Sequence, residues 1–102
     1  MNGMRAIHPG EILREEYLEP MGLSASALAI ALRVPAPRVN DIVRERRGIS
    51  PDTALRLARF LGTSAQFWLN LQNLYELRRA EEKVGIAIKR LPTLARGEQA
   101  HA

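Results

Sequence analysis

A stretch in the middle of the chain concentrates side chains that can bind nucleic acid. Its five arginines are Arg33, Arg38, Arg44, Arg46 and Arg47, and its two acidic residues are Asp41 and Glu45. An arginine can bind guanine through two hydrogen bonds, and the amide of an asparagine such as Asn40 can bind adenine in the same way. The stretch therefore predicts a basic surface for a polyanionic partner.

The opposite charge collects nearer the start of the chain. Residues 11–19 contain Glu11, Glu15, Glu16 and Glu19 against a single basic residue, Arg14. The whole chain has a formal net charge of +4 and a pI near 10.3. We therefore expect a basic surface for one partner and an acidic surface for another.

The sequence gives little support for a catalytic site or a metal-binding site. The chain has no cysteine, which excludes disulfides, thiolate catalysis and cysteine-based metal sites. Glu15 and Glu16 would point about 100° apart on a helix, so they cannot flank one substrate atom. His8 has no nearby His, Asp or Cys at metal-binding spacing, and Glu11 is the only candidate for a second ligand, so we favour a cap or turn role for His8. We predict no enzymatic activity, no metal and no cofactor.

Length and composition fit one small domain. The chain has 102 residues, of which 46% are hydrophobic and 25% charged, as is usual for a soluble globular protein. No apolar run approaches the roughly 18 residues that a membrane span needs, and residues 1–7 lack the features of a signal peptide. These features predict a soluble, cytoplasmic protein.

Helix signals dominate the chain, and no segment alternates as a half-buried strand does. The first helix should begin near Pro9 and stop at Pro20 and Gly22. The next three should cover about residues 24–32, 36–46 and 51–61, with serine caps at Ser24 and Ser50 and with Gly48 ending the third.

A fifth predicted helix follows a cap at Thr63 or Ser64 and carries an apolar stripe that includes Trp68, Leu74 and Tyr75, which we assign to the core rather than to a ligand pocket. We expect this helix to fray from Glu81 onward. The predicted division is a domain over residues 1–82 and a partly mobile extension over residues 83–102.

The spacing of the second and third helices is typical of a helix-turn-helix unit. Counted from Ala25, apolar residues occupy the fourth, fifth, tenth, fifteenth and eighteenth positions: Leu28, Ala29, Val34, Val39 and Ile42. The small Ala29 would lie where the two helices touch, and the other residues would fix their crossing. Arg33 departs from the pattern, because its position often holds a glycine in a left-handed turn.

This packing would turn the polar side of the third helix outward, where it can enter the major groove. That side comprises Ala36, Pro37, Arg38, Asn40, Asp41 and Arg44. Arg38 and Asn40 are the predicted base-reading residues. For Asn40, a hydrogen bond to its own backbone is an equally good alternative.

Several segments in fixed order resemble the HigA-type antitoxins of the Xre/Cro-like repressor group. They are His8-Pro9-Gly10-Glu11-Ile12-Leu13, Glu19-Pro20-Met21-Gly22-Leu23-Ser24, Arg38-Val39-Asn40-Asp41-Ile42-Val43, Asp52-Thr53-Ala54-Leu55-Arg56-Leu57-Ala58 and Phe67-Trp68-Leu69-Asn70-Leu71-Gln72. The resemblance implies an all-α, five-helix fold of the Xre/lambda-repressor kind. It also implies a homodimer, repression of its own operon at a palindromic double-stranded operator, and neutralisation of a RelE/HigB-like toxin that cleaves messenger RNA.

Carried over to this chain, the DNA-reading helix of the family falls on residues 36–46. The candidate phosphate contacts are Ser24, Arg44, Arg46, Arg47 and Ser50. Ala25 replaces a glutamine that contacts the DNA backbone in many relatives. Two alternatives stay open: a stand-alone Xre-type repressor without a toxin, and a toxin-neutralising module without DNA binding.

Two further surfaces are candidates for protein partners. Leu69 and Leu77 lie eight residues apart, away from the predicted core stripe, and we expect them to form the dimer interface. The acidic first helix and the C-terminal tail are the two candidate toxin-binding surfaces, between which the sequence does not decide.

Overall fold

A computed structural model describes residues 5–94, and within them every regular element is helical. The first helix, α1, comprises an α-helical turn Pro9–Ile12, a π-helical stretch Leu13–Leu18 and a last turn Glu19–Met21. The others are α2 (Ala25–Leu32), α3 (Ala36–Val43), α4 (Pro51–Leu61) and α5 (Ala65–Lys89). The predicted all-α, five-helix class is confirmed. None of the helices within residues 5–94 combines the length and apolarity of a membrane-crossing segment.

Serine caps start three of the helices, as predicted. The hydroxyl oxygens of Ser24, Ser50 and Ser64 accept hydrogen bonds from backbone N–H groups three residues further on, at 3.0, 3.3 and 3.0 Å. Each bond satisfies an N–H group that the helix itself leaves without a partner. Ser64 rather than Thr63 caps α5, because the Thr63 hydroxyl accepts a hydrogen bond from the indole of Trp68 at 2.7 Å.

The prediction that Pro20 stops α1 is wrong. Pro20 lies inside the last helical turn, and α1 ends at Gly22, which adopts a left-handed conformation with φ of 64°. Before Pro20 the helix is π-helical, and the N–H of Glu19 donates to the carbonyl of Arg14, five residues back. Because proline lacks an N–H group and crowds the carbonyl four residues back in a regular α-helix, the wider π turn accommodates it.

The core joins two helix pairs, since α2 packs on α3 and α4 packs on α5. Ala29, Val39 and Ile42 are each 1% exposed, and Val34 packs partly buried against them. The predicted interior contacts of the helix-turn-helix unit are therefore confirmed. Trp68 of α5 is fully buried in this core.

Helix α1 holds the C-terminal end of α3. A β-carbon placed on Gly10 would lie 1.8 Å from the carbonyl oxygen of Ile42, so only glycine permits this approach. The guanidinium of Arg14 donates a hydrogen bond to the carbonyl of Val43. The N-terminal end of α1 and the C-terminal end of α3 therefore meet, which brings opposite helix-dipole ends together.

Helix α5 does not fray after Glu81, contrary to the prediction, and continues to Lys89. Its 25 residues extend over about 37 Å, and nearly all residues after Arg78 are exposed, which gives the molecule its long dimension of 56 Å. Helix-forming residues and the pair between Arg79 and Glu82 support this segment without burial. The proposed boundary at residue 82 lies within this helix, and residues 95–102 of the predicted extension lie outside the described residues.

Candidate nucleic-acid interface

The turn between α2 and α3 is the usual helix-turn-helix turn, even though Arg33 replaces glycine. Arg33 adopts φ of 60° and ψ of 47°, the left-handed conformation that a glycine would take most easily. The N–H of Arg33 donates to the carbonyl of Ile30 at 3.1 Å, and the N–H of Val34 to that of Ala29 at 3.0 Å. Arg33 thus carries the strain of a left-handed residue, and the turn geometry is unchanged.

The predicted outward side of α3 is outside the core. Ala36, Pro37 and Arg44 are exposed, while Arg38, Asn40 and Asp41 are partly buried. Proline and alanine at the start of α3 leave little side-chain bulk there, so backbone can approach a ligand closely. The structure therefore places five of the six predicted residues on a helix that packs against the core, and Arg44 directly after its last residue.

Helix α3 is three residues shorter than predicted. It ends at Val43 because Glu45 adopts a left-handed conformation with φ of 63°, and the N–H of Arg46 then donates to the carbonyl of Asp41 at 2.8 Å. The prediction that Gly48 ends the helix is wrong. Arg46 and Arg47 consequently lie in the segment between α3 and α4, and this segment, residues 44–50, is called loop 44–50 below.

Arg38, a predicted base-reading residue, is held by an acidic residue on α4. Its Nη1 donates to Oδ1 of Asp52 at 2.8 Å, and Nε of Arg56 donates to the same oxygen at 2.8 Å. Arg56 also donates to the carbonyl of Leu32 at 2.8 Å, so the network joins α2, α3 and α4. Hydrogen bonds from Arg56 and then from Arg38 lower the pKa of the Asp52 carboxyl group below its ordinary value.

The Asn40 side chain makes a hydrogen bond to the backbone of its own helix, which was the predicted alternative to base reading. Its Nδ2 donates to the carbonyl of Ala36 at 3.1 Å, one helical turn earlier. This bond uses one of the two amide N–H groups and leaves Oδ1 and the second N–H for other partners. Recognition of adenine by Asn40 stays a prediction.

The predicted phosphate contacts surround α3. Arg44, Arg46 and Arg47 are exposed, and Arg47 makes a 3.4 Å contact with Asp41. Ser24 and Ser50 are exposed at the starts of α2 and α4, with their hydroxyl oxygens engaged as caps. Surface arginine pairs of this kind are weak enough to be exchanged for a phosphate.

Some residues that organise this surface were missed by sequence reasoning. Asp52 holds the Arg38 guanidinium, and it was given no role at this surface from the sequence. Gln72 of α5 accepts a hydrogen bond from the backbone N–H of Ile49 at 2.7 Å. No spacing signal links residues 14 or 23 positions apart in different segments of the chain, so only the fold reveals such contacts.

The remaining predicted residues divide between core and surface. His8 caps α1, as predicted: its Nδ1 accepts the N–H of Gly10 at 2.8 Å, and its ring contacts Tyr75 edge to face. Burial lowers the pKa of His8. Leu74 was expected in the core but is 49% exposed, so that prediction is wrong.

The two predicted interface leucines differ in their surroundings. Leu69 packs partly buried against the core, whereas Leu77 is 61% exposed. Further exposed apolar residues extend the surface from Leu77 along α5 and just beyond it: Val84, Ile88 and Leu91. The apolar face of residues 77–91 is therefore larger than the predicted pair, and a role in dimerisation stays a prediction.

Comparison with known proteins places this arrangement in a family. The helix-turn-helix family model matches residues 15–68. The structure of an antitoxin HigA from Pseudomonas aeruginosa with the higBA promoter superimposes with a TM-score of 0.86 at 55% identity, over 89% of this chain and all of that chain. Virulence-associated protein I of Dichelobacter nodosus is 67% identical over 81 residues, which cover 79% of this chain and 75% of that protein.

A second antitoxin is also similar to this chain. Antitoxin HigA-1 of Vibrio cholerae is 38% identical over 73 residues, covering 72% of this chain and 69% of that protein. The fold and the matched family define a helix-turn-helix regulator, a class of DNA-binding proteins and not of enzymes. The chain belongs to the HigA-type antitoxins, within the Xre group of the helix-turn-helix family.

Proposed function

We propose that this protein is a DNA-binding antitoxin, which represses its own operon and neutralises a RelE/HigB-like toxin in the cytoplasm. One observation carries the DNA-binding part of the proposal. Val39 and Ile42 of α3 are buried in the core together with Ala29 of α2. The side of α3 that carries Arg38 and Asn40 therefore faces away from the core. The HigA structure with the higBA promoter supports this reading.

In this proposal α3 enters the major groove with its N-terminal half against the base edges. Arg38 binds a guanine, and the exposed arginines of loop 44–50 bind phosphates on the flanking backbone. The exposed N-terminal ends of α2 and α4 direct their backbone N–H groups toward phosphates as well. The Ala25 position contributes no side-chain contact, because alanine has no polar group.

A second copy of the chain completes the operator complex, because helix-turn-helix proteins read two half-sites about one DNA turn apart. The apolar face of residues 77–91 fits that second copy. Glu81 and Lys89 lie on this face, four residues on either side of Gly85. An antiparallel pairing centred on Gly85 would place Glu81 of each copy beside Lys89 of the other.

The toxin part of the proposal assigns the acidic face of α1 to a basic toxin. Glu15, Glu16 and Glu19 are exposed on α1, remote in sequence from the arginines of the DNA surface. The C-terminal tail is the other predicted toxin surface, and its last eight residues lie outside the described part of the chain. The double variant Glu16→Lys/Glu19→Lys should lose toxin binding and keep operator binding, whereas retained toxin binding would move the interface to the tail.

The main experiment measures binding of the full chain to the DNA upstream of its own gene at several salt concentrations. We expect a footprint on a two-fold symmetric site and a steep decrease in affinity with salt. A stand-alone repressor would give the same footprint without an adjoining toxin gene. A protein that binds a toxin but not this DNA would contradict the repressor part of the proposal.

A further inference from the structure

Loop 44–50 carries Arg44, Arg46 and Arg47, so the position of its backbone decides where these side chains reach. The loop contains no helix or strand, and its end is anchored by Ile49, which is 4% exposed. The backbone N–H of Ile49 donates a 2.7 Å hydrogen bond to Oε1 of Gln72. A residue of α5 thus holds the backbone of a loop on the DNA-binding surface.

The contact between Gln72 and the loop is closely fitted. A β-carbon on Gly48 would lie 2.7 Å from both Oε1 and Nε2 of Gln72. Gly48 does not adopt the left-handed conformation, and an alanine at this position would push the flexible Gln72 amide aside. The Nε2 group of Gln72 donates to Glu76 at 2.8 Å, which fixes the amide orientation and directs Oε1 to the Ile49 N–H.

The other end of the loop is held from α1. Arg14 donates to the carbonyl of Val43 and makes a 3.3 Å ion pair with Glu45. The loop backbone is therefore attached to α1 at its start and to α5 at its end. The exposed side chains of Arg46 and Arg47 project from the segment between these two attachments.

We propose that Gln72 is a positioning residue for DNA binding, which holds loop 44–50 so that Arg46 and Arg47 meet the phosphates of the operator. Gln72 itself does not contact DNA. The inference rests on the proposed function, since it assigns a role within the same DNA-binding surface. It also makes α5 a contributor to affinity through the loop, in addition to any contribution through dimerisation.

The test uses four variants of the full chain. Gln72→Leu removes the acceptor for the Ile49 N–H at similar side-chain size. Gly48→Ala displaces the Gln72 amide from the loop side without changing α5. The double variant Gln72→Glu/Glu76→Gln exchanges amide and carboxylate and keeps the acceptor. Gln66→Leu is the matched control, because Gln66 is an exposed glutamine of α5 whose side chain donates to Asn70 of the same helix at 2.9 Å.

The measurements are the Kd for the DNA upstream of the gene, the salt dependence of that Kd, and the melting temperature. Gln72→Leu and Gly48→Ala should each bind about tenfold more weakly, and the slope of log K against log salt should decrease by about one, as for a lost phosphate contact. The exchange variant should stay within about threefold of the wild type, with the wild-type slope. Gln66→Leu should not differ from the wild type.

A purely structural role would lower the melting temperature of Gln72→Leu and leave the salt slope unchanged, and this result would overturn the inference. If Gln72→Leu does not fold, the Gly48→Ala variant tests the inference instead. Wild-type affinity and a wild-type salt slope in Gly48→Ala would then overturn the inference. A wild-type protein that does not bind the upstream DNA at all would instead overturn the proposed function. If the wild type binds the upstream DNA and both Gln72→Leu and Gly48→Ala bind it equally well, the role of Gln72 is refuted and the proposed function stands.

Discussion

Arg38 and Asp52 form an ion pair that crosses from α3 to α4, with Nη1 of the arginine 2.8 Å from Oδ1 of the carboxylate. The pair uses one edge of the guanidinium and leaves further N–H groups available for a guanine. Since an arginine in a fixed orientation loses less conformational freedom on binding, we expect Asp52 to prepare Arg38 for the predicted base recognition.

The first prediction concerns sequence preference. Arg38→Ala should reduce the discrimination between the operator and a site with one changed base pair by about 1–3 kcal/mol at a single position, because a bidentate arginine–guanine contact is lost. Asp52→Ala should cause part of the same loss. In the double variant, removal of Asp52 should cost no further discrimination once Arg38 is absent. Operator and single-base variants are compared in competition assays.

Arg59→Ala is the control for these variants, since Arg59 is an exposed arginine on the same helix as Asp52. It should leave discrimination unchanged. Fully additive losses from Arg38→Ala and Asp52→Ala would show that the ion pair does not prepare Arg38 for reading a base.

The second prediction separates affinity from sequence preference. Arg47→Ala should weaken binding to all DNA sequences alike and reduce the salt slope by about one, because a phosphate contact carries no base information. Arg79→Ala, on the exposed part of α5, serves as a control of equal charge. If Arg47→Ala changed base preference as strongly as Arg38→Ala, the assigned division between base and phosphate contacts would be wrong.

Local signals in the sequence predicted where most helices begin. Serine caps and first-turn prolines act within three or four residues, so Ser24, Ser50 and Pro51 mark helix starts without knowledge of the fold. The helix-turn-helix spacing likewise predicted the burial of Ala29, Val39 and Ile42. The outward side of α3 followed from that burial.

Features set by contacts between distant segments were not predictable in this way. The end of α3 depends on a left-handed Glu45, a residue type without a strong preference for that conformation, and Arg14 of α1 contacts this residue. Gly48 looked like a helix terminator, whereas its small size makes room for Gln72, 24 residues further on. The ion pair between Arg38 and Asp52 joins two helices and has no periodic signature.

The third prediction tests the dimer. Glu81→Lys should weaken self-association because it would face Lys89 of the second copy, and operator binding should weaken with it. Adding Lys89→Glu in the same chain should restore both, since the opposite charges are then exchanged. Sedimentation measures the mass. The same charge reversal at Glu82 is the control, and a monomeric wild type would remove the predicted interface.

The fourth prediction concerns the contact between α1 and α3. Gly10→Ala should lower the free energy of unfolding by about 3 kcal/mol, because the added methyl group would overlap the carbonyl of Ile42 in a packed interior. Ser26→Ala, at an exposed position of α2, should change it by no more than about 0.5 kcal/mol. Urea denaturation measures both. Equal stability of the two variants would mean that α1 and α3 can separate freely at this point.

The last prediction is a pH dependence that arises from His8. Burial is the largest cause of its lowered pKa; nearby Arg14 lowers the pKa further, and Glu45 partly opposes the shift. The cap requires an unprotonated Nδ1 to accept the Gly10 N–H, so protonation would break the hydrogen bond at the start of α1. The unfolded state therefore binds a proton more readily than the folded state, and stability rises with pH between the two pKa values.

The stabilisation from neutral His8 should be complete above the ordinary pKa of 6.5 and should be lost as the pH falls below that value toward the lower pKa of the folded state. His8→Asn provides the matched variant, because an asparagine can cap the helix and does not titrate. Its melting temperature should fall less steeply than that of the wild type when the pH is lowered below 6.5. Parallel curves for the two proteins would assign the acid sensitivity to other groups.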